Sequence, residues 1–216
     1  MRYLYIDTSS SYLYSGIVED NKLIAEIKEE FGQSLSEVAL PKIVSLFEKN
    51  NLTAKDIDKI IVVNGPGSFT GIRIGITIAK VYAWSLNIPI TTITSLEAMA
   101  ISSKNNKVHI PIINARRGYV FAAIIDKNYN FILKPKHLKL EELLKNIKNI
   151  DNFEIITNDQ FEELKNTETF NPDILKIVTT FKDKENINPH AVNPDYLKLT
   201  EAEESKLWLK KLKKII

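Results

Sequence analysis

The chain has 216 residues, 44% hydrophobic and 26% charged, which is ordinary globular usage and enough for a packed core. Its 29 basic residues against 27 acids leave a net charge of +2, which gives no global reason to expect a nucleic-acid or membrane binder. The absence of cysteine excludes disulfides, cysteine-based zinc and iron–sulfur sites and thiol nucleophiles.

Met1-Arg2-Tyr3-Leu4-Tyr5-Ile6-Asp7 holds too few apolar residues before its acid for a signal sequence, and no stretch reaches the roughly 18 apolar residues of a membrane span. A soluble, cytoplasmic chain is expected. Residues 2–7 read as a strand, Thr8–Ser11 as a turn, residues 12–18 as a strand, Glu19–Lys22 as a turn and Leu23–Ile27 as a third strand. The layout returns at Val108–Ile113, Tyr119–Ile125 and Tyr129–Leu133, with turns at Asn114–Gly118 and Asp126–Asn128. Such a repeat is the pattern of an internal duplication, although meanders also recur by chance.

Between the meanders the period lengthens. Ser34-Leu35-Ser36-Glu37 has the form of a capping box, and Leu35, Ala39, Ile43, Leu46 and Phe47 follow on one helical face, with Pro41 expected to kink it. Lys59–Val63 reads as a buried strand, Ile72–Leu86 as a second helix, Ile88–Thr92 as a short strand and Ser95–Ile101 as a third helix. Strands alternating with helices predict an α/β sheet with helices packed on it. After a junction near residues 103–107, Leu140–Ile147 reads as a helix, Phe153–Thr157 as a strand, Asp159–Lys165 as a short helix and Ile174–Val178 as a strand. Thr200-Glu201-Ala202-Glu203 is a second capping box, opening a predicted helix with Trp208, Leu212 and Ile215 on one stripe. The lysines towards its end suit the helix dipole, and form either a solvated face or a contact for phosphates.

Of only seven glycines, four (Gly65, Gly67, Gly71 and Gly75) fall in Gly65-Pro66-Gly67-Ser68-Phe69-Thr70-Gly71-Ile72-Arg73-Ile74-Gly75. The segment follows a buried strand and opens a helix, where free backbone N–H groups favour anions. It fits neither a Walker loop, which needs lysine after the last glycine, nor the dinucleotide spacing, whose third glycine comes one residue sooner. Two readings stand: an anion-binding turn, and a sharp turn whose glycines permit close backbone packing. In the helix that follows, Arg73, Thr77, Lys80 and Trp84 form a narrow stripe and almost everything else is apolar. Such a helix needs cover beyond one sheet face, from the helix at 34–50 or from a partner, and arginine and tryptophan are residues that anchor interfaces.

Asp7-Thr8-Ser9 ends the first strand, where a carboxylate beside hydroxyls either holds a metal-bound phosphate or caps the turn. Asn114 takes the matching place in the second meander, and its amide disfavours a two-carboxylate metal site. His109, His137 and His190 are scattered without metal spacing, and no G-x-S-x-G elbow occurs. Neither an assembled catalytic site nor a metal site is expected.

The glycine segment resembles the signature of the TsaB (YeaZ) family. Tyr5-Ile6-Asp7-Thr8-Ser9, Thr94-Ser95-Leu96-Glu97-Ala98, Asn114-Ala115-Arg116-Arg117-Gly118-Tyr119-Val120 and Pro194-Asp195-Tyr196-Leu197-Lys198, with Glu201-Ala202-Glu203, resemble further family segments in the same order. The resemblance implies an α/β fold, actin-like and ribonuclease-H-type, duplicated into two subdomains (1–104 and 105–216), each a mixed sheet flanked by helices. It implies a non-catalytic scaffold or activating subunit of the complex that transfers a threonylcarbamoyl group to N6 of adenosine 37 in tRNAs reading codons that begin with A. In that complex TsaD carries the metal and the transfer, and the ATPase TsaE joins. The chain alone is expected to form a homodimer, to bind no cofactor and to meet tRNA only through the complex, with ATP and the metal ion belonging to the partner subunits. TsaD's metal site lies on the helix matching 34–50, which here has no histidine.

The interface expected from these helices comprises Leu35, Ala39, Ile43, Arg73, Ile76, Thr77, Lys80 and Trp84, and Asp7, Thr8 and Ser9 are the candidates for a vestigial nucleotide pocket. Gln33, Asn114 and Lys198 depart from the family's histidine, aspartate and arginine, so the resemblance implies no chemical role at these three positions. The alternative is an actin-like nucleotide-hydrolysing enzyme using Asp7 and the Gly65–Gly75 loop.

Overall fold

The computed structural model describes residues 1–198. β1 (Arg2–Asp7), β2 (Tyr12–Glu19) and β3 (Lys22–Glu30) form an antiparallel meander, and β4 (Lys59–Val63) and β5 (Ile90–Ile93) extend it in parallel from β1. The second sheet repeats the plan. β6 (Val108–Asn114), β7 (Tyr119–Ile125) and β8 (Phe131–Lys139) are antiparallel, and β9 (Phe153–Ile156) and β10 (Thr167–Glu168) add in parallel from β6. The orders β3-β2-β1-β4-β5 and β8-β7-β6-β9-β10 match position for position, so the chain is a structural duplication.

The first repeat carries α1 (Leu35–Glu48), α2 (Phe69–Leu86) and α3 (Ser95–Ser102), and the second carries α4 (Leu140–Ile147) and α5 (Ile174–Phe181). The second repeat has no counterpart of α2. Residues 157–166, between β9 and β10, form turns, so the helix expected at Asp159–Lys165 is absent. Phe161 and Leu164 do pack on the core, but only a single turn closes there, by the Leu164 N–H to Phe161 carbonyl bond. One turn does not repay helix nucleation. Ile174–Val178 is helical where a strand was expected, because Ile174, Ile177 and Val178 sit at i, i+3 and i+4 and the Asp173 carboxylate caps the Lys176 N–H at 2.9 Å. Ser34 begins α1 as expected, yet its backbone is already helical and its side chain makes no capping bond, since a 3-10 turn at Gly32–Ser34 leads in. The capping box forms instead at α3, where Thr94 and Glu97 exchange bonds. Pro41 lies on the exposed side of an unbroken α1.

Alternation along the strands sorts the core into layers. Leu4, Ile6, Leu13, Ile17, Ile60 and Val62 face α1 and α2, whereas Tyr3, Tyr5, Tyr14, Val18, Ile61 and Val63 face α3 and α5. The interior strand β4 is buried on both faces, as its uninterrupted apolar run requires. In the second sheet Ile110, Ile112, Val120 and Ala122 face α4, and Ala123, Ile125 and Ile156 face the other side of α3. The single helix α3 therefore serves both sheets.

A division at 104/105 misplaces the last described stretch. α5 packs on the first sheet, and the segment after it is tied there: Lys59 Nζ donates to the Lys182 and Lys184 carbonyls at 2.8 and 2.7 Å, and Ile187 pairs with Ile90. Residues 174–198 thus return to the first subdomain. The helix expected from Thr200 lies outside the described residues. Among those described, no helix is long and apolar enough to cross a membrane.

Candidate functional site

A cleft of about 1290 Å³ opens between the two sheets, at the ends of β1 and β6. The glycine segment forms one wall. Gly67 has φ 154°, and a Cβ there would stand 2.2 Å from the Ser9 carbonyl oxygen. At Gly71 a Cβ would stand 2.0 Å from the Thr8 carbonyl oxygen. The loop therefore lies directly on the Thr8–Ser9 turn, and hydrogen bonds lock the contact: Ser68 N–H to Ser9 carbonyl at 2.7 Å and Thr8 Oγ1 to Gly71 carbonyl at 2.7 Å. Ser68 Oγ caps α2 by accepting the Gly71 N–H at 3.2 Å, so the helix starts at Phe69, three residues before the expected Ile72. Of the two readings of the loop, the geometry supports close packing.

Two further motifs converge on the loop. Ser95 Oγ donates to the Pro66 carbonyl at 2.6 Å, its N–H donates to the Gly65 carbonyl, and the Asp195 N–H donates to the Asn64 carbonyl at 2.7 Å. Tyr196 stacks on Phe69 at 4.9 Å and accepts a hydrogen bond from Arg73 Nε at 2.7 Å, while the Arg73 guanidinium lies 3.8 Å from the centre of the Phe69 ring. Segments far apart in sequence thus form one hub.

Asp7 is buried at the cleft wall. Its oxygens are already used, accepting the Ser9 N–H at 2.8 Å and the Tyr5 hydroxyl at 3.3 Å. Burial pushes its carboxyl above the ordinary value, and the hydrogen bonds from Ser9 and Tyr5 pull the other way. Asn114 makes the same turn in the second repeat, accepting the Arg116 N–H at 2.8 Å. What the duplication preserves at this position is the turn, not the charge. Among the described residues no trio of histidine, aspartate or glutamate is placed to hold a metal ion, and α1 carries no histidine.

The expected interface set divides. Leu35, Ala39, Ile43 and Ile76 are at most 4% exposed and sit in the core with Ile72, Ala79 and Ala83, beyond any partner's reach. An Ile76→Glu substitution would break that core rather than test an interface. Lys80 is committed to the chain itself, donating to the Val192 carbonyl at 2.9 Å, and Trp84 meets His190 edge-on at 6.1 Å. Apart from Phe69, which the Tyr196 ring covers, the exposed large apolar residues of α1 and α2 are Leu40 (45%), Val44 (38%), Val81 (54%) and Trp84 (65%), with Thr77 also exposed on α2. Leu40 and Val44 were missed in the sequence, although an apolar i, i+4 pair off the buried stripe was the available signal.

The duplicated sheets, the shared helix α3 and the cleft between them define a two-subdomain, actin-like α/β protein. Comparison with known proteins narrows this. The family model for TsaD, tRNA N6-adenosine threonylcarbamoyltransferase, matches residues 24–203. The tRNA threonylcarbamoyladenosine biosynthesis protein TsaB of Bacillus subtilis (strain 168) is 39% identical over 125 residues, 57% of this chain and 55% of that one. The protein of the same name from Escherichia coli (strain K12) is 29% identical over 66% of this chain and 68% of its own. The solved structure of YeaZ from Pseudomonas aeruginosa shares the fold with a TM-score of 0.72 at 16% identity, over 90% of this chain and 100% of that one. The match spans little more than half the length of the Bacillus relative. The chain belongs to this threonylcarbamoyltransferase-related family, in its TsaB (YeaZ) group.

Proposed function

We propose that the chain works in tRNA threonylcarbamoyladenosine biosynthesis as a non-catalytic supporting subunit, pairing with TsaD through the outer face of α1 and α2. The observation that carries this is the apolar crest of Leu40, Val44, Val81 and Trp84, left in water by α1 and α2, a pair found among the described residues in the first repeat alone. Large apolar side chains grouped on one exposed helix face are characteristic of protein interfaces. The relatives named TsaB are described as biosynthesis proteins for this modification, and the family model that matches is that of TsaD. In this reading TsaD and TsaE supply the metal ion and ATP, the same crest closes a homodimer when the chain is alone, and tRNA arrives with the complex.

The nucleotide-hydrolysing alternative rests on Asp7 lining the cleft. Against it, the carboxylate and the glycine loop are both engaged with the chain's own turn. Equilibrium binding of labelled ATP separates the two: no saturation at millimolar nucleotide is expected, and saturable binding abolished by Asp7→Ala would favour the enzyme. Mixing the chain with TsaD tests the pairing, which Trp84→Ala and Val81→Glu are expected to weaken without lowering the melting temperature.

A further inference from the structure

On the second subdomain, three cations and three aromatic rings gather at the β6–β7 turn and the adjoining face of β7 and β8, beside the cleft, and the function proposed above uses none of them. Arg116 and Arg117 occupy the tip of the β6–β7 turn with left-handed backbone, φ 66° and 54°. That pair of conformations belongs to asparagine and glycine, and other side chains are strained in it. Both arginines are exposed, and among the described residues neither side chain has an ion pair or hydrogen bond. Lys139, in register with Tyr119 across β7 and β8, is a third exposed cation.

The rings lie alongside. Tyr119 stacks on His137 at 4.8 Å with an angle of 11°, and Phe121 stands 5.3 Å from the same imidazole. All three are half-buried on the sheet face opposite Val120, Ala122 and Leu138, and Arg116 and Phe121 line the cleft. Two acids linked to this region are engaged: Asp159 accepts the Asn114 N–H at 2.7 Å and Glu142 pairs with Lys136 at 3.1 Å. Glu141, exposed in the first turn of α4, is outnumbered by the three cations.

We propose that this platform binds a single-stranded RNA segment, with its phosphates on Arg116, Arg117 and Lys139 and an unpaired base on the Tyr119–His137 stack. Cations alone attract any polyanion, and rings beside them add a preference for bases free to stack, which a duplex hides and a lipid surface lacks. The proposal extends the tRNA-modification reading to direct RNA contact. Its test needs no TsaD, so either can fail alone.

The probe is a labelled single-stranded RNA of about 12 nucleotides, titrated with the full chain by fluorescence anisotropy, with its duplex and phosphatidylserine vesicles as competitors. The single strand is expected to bind in preference to both. Arg116→Glu with Arg117→Glu is expected to lower affinity at least about tenfold and to flatten the log–log salt slope by about 1.4, at roughly 0.7 per phosphate lost. Arg116→Asn with Arg117→Gly relieves the strained turn, keeps the fold, and is expected to lose binding likewise. Tyr119→Ala is expected to cost about tenfold with the salt slope unchanged, and Tyr119→Phe to restore binding. Absence of saturable binding at low salt would overturn the proposal. So would equal competition by duplex or vesicles, or binding that survives both arginine pairs but is lost in Lys210→Glu with Lys211→Glu.

Discussion

Asp7 and Asn114 sit at matching strand ends and make the same bond to the backbone two residues on. A carboxylate kept for its charge and one kept for its shape predict different behaviour on replacement. Because burial raises the Asp7 carboxyl, the cost of its ionised form is absent below the ordinary 3.8 and reaches its full size as pH rises through the raised folded value. Asp7→Asn is therefore expected to be at least as stable as the parent at neutral pH, within about 1 kcal/mol, by urea denaturation. A loss of several kcal/mol would show that the charge itself holds the turn. Glu154 has the opposite sign. Burial pushes its carboxyl up, but hydrogen bonds from Ser103, Asn105 and His109 outweigh this and hold it below the ordinary 4.5. Its stabilisation is full above that ordinary value and is lost as pH falls through the lower folded one. Glu154→Gln is expected to narrow its stability gap to the parent between about pH 6 and about pH 3, and a constant gap would contradict the assignment. At Gly71 an added Cβ meets fixed backbone 2.0 Å away, whereas at Gly32, φ 52°, it meets open space. Gly71→Ala is expected to cost about 3 kcal/mol and Gly32→Ala about 1 kcal/mol, measured side by side.

Elements whose environment is local were legible in the sequence, and those whose environment is distant were not. β4 and α4 match their expected bounds because a buried apolar run and a helical stripe are written within the segment itself. Ile174–Val178 carries strand-type residues at helix-type spacing, and the choice falls to the Asp173 cap and the sheet face that the helix covers. Part of the expected interface set met a related ambiguity: an apolar stripe marks a buried face, and Leu35, Ala39, Ile43 and Ile76 are buried by the chain itself. The return of residues 182–198 to the first sheet depends on partners over a hundred positions away, such as Lys59 with Lys182 and Lys184. Lys59→Met leaves those two carbonyls without their donor and is expected to cost about 2 kcal/mol. Hydrogen exchange would show it as lost protection at Ile187 and Asp195, while protection unchanged there would mean that the segment is held by other contacts.

Across the whole molecule, the duplication sets the division of labour. Both halves keep the sheet, and among the described residues only the first keeps the glycine loop and the paired helices α1 and α2 that carry the outward apolar crest. The five motifs that carried the family resemblance fall at two places: three converge on the glycine loop, itself the fourth, and Asn114–Val120 forms the opposite lip of the cleft. That the motifs clustered could not be read from their spacing, because the contacts join β1, α2, α3 and the segment after α5. The hub positions α2, and with it the crest on which the proposed pairing rests. The most direct test is light scattering on size-exclusion fractions of the chain mixed with TsaD, for the parent and for Val81→Glu with Trp84→Ala. A mixed complex that the double variant loses, while its melting temperature stays that of the parent, is the predicted result. A complex unchanged by the double variant, or none with the parent, would contradict the account.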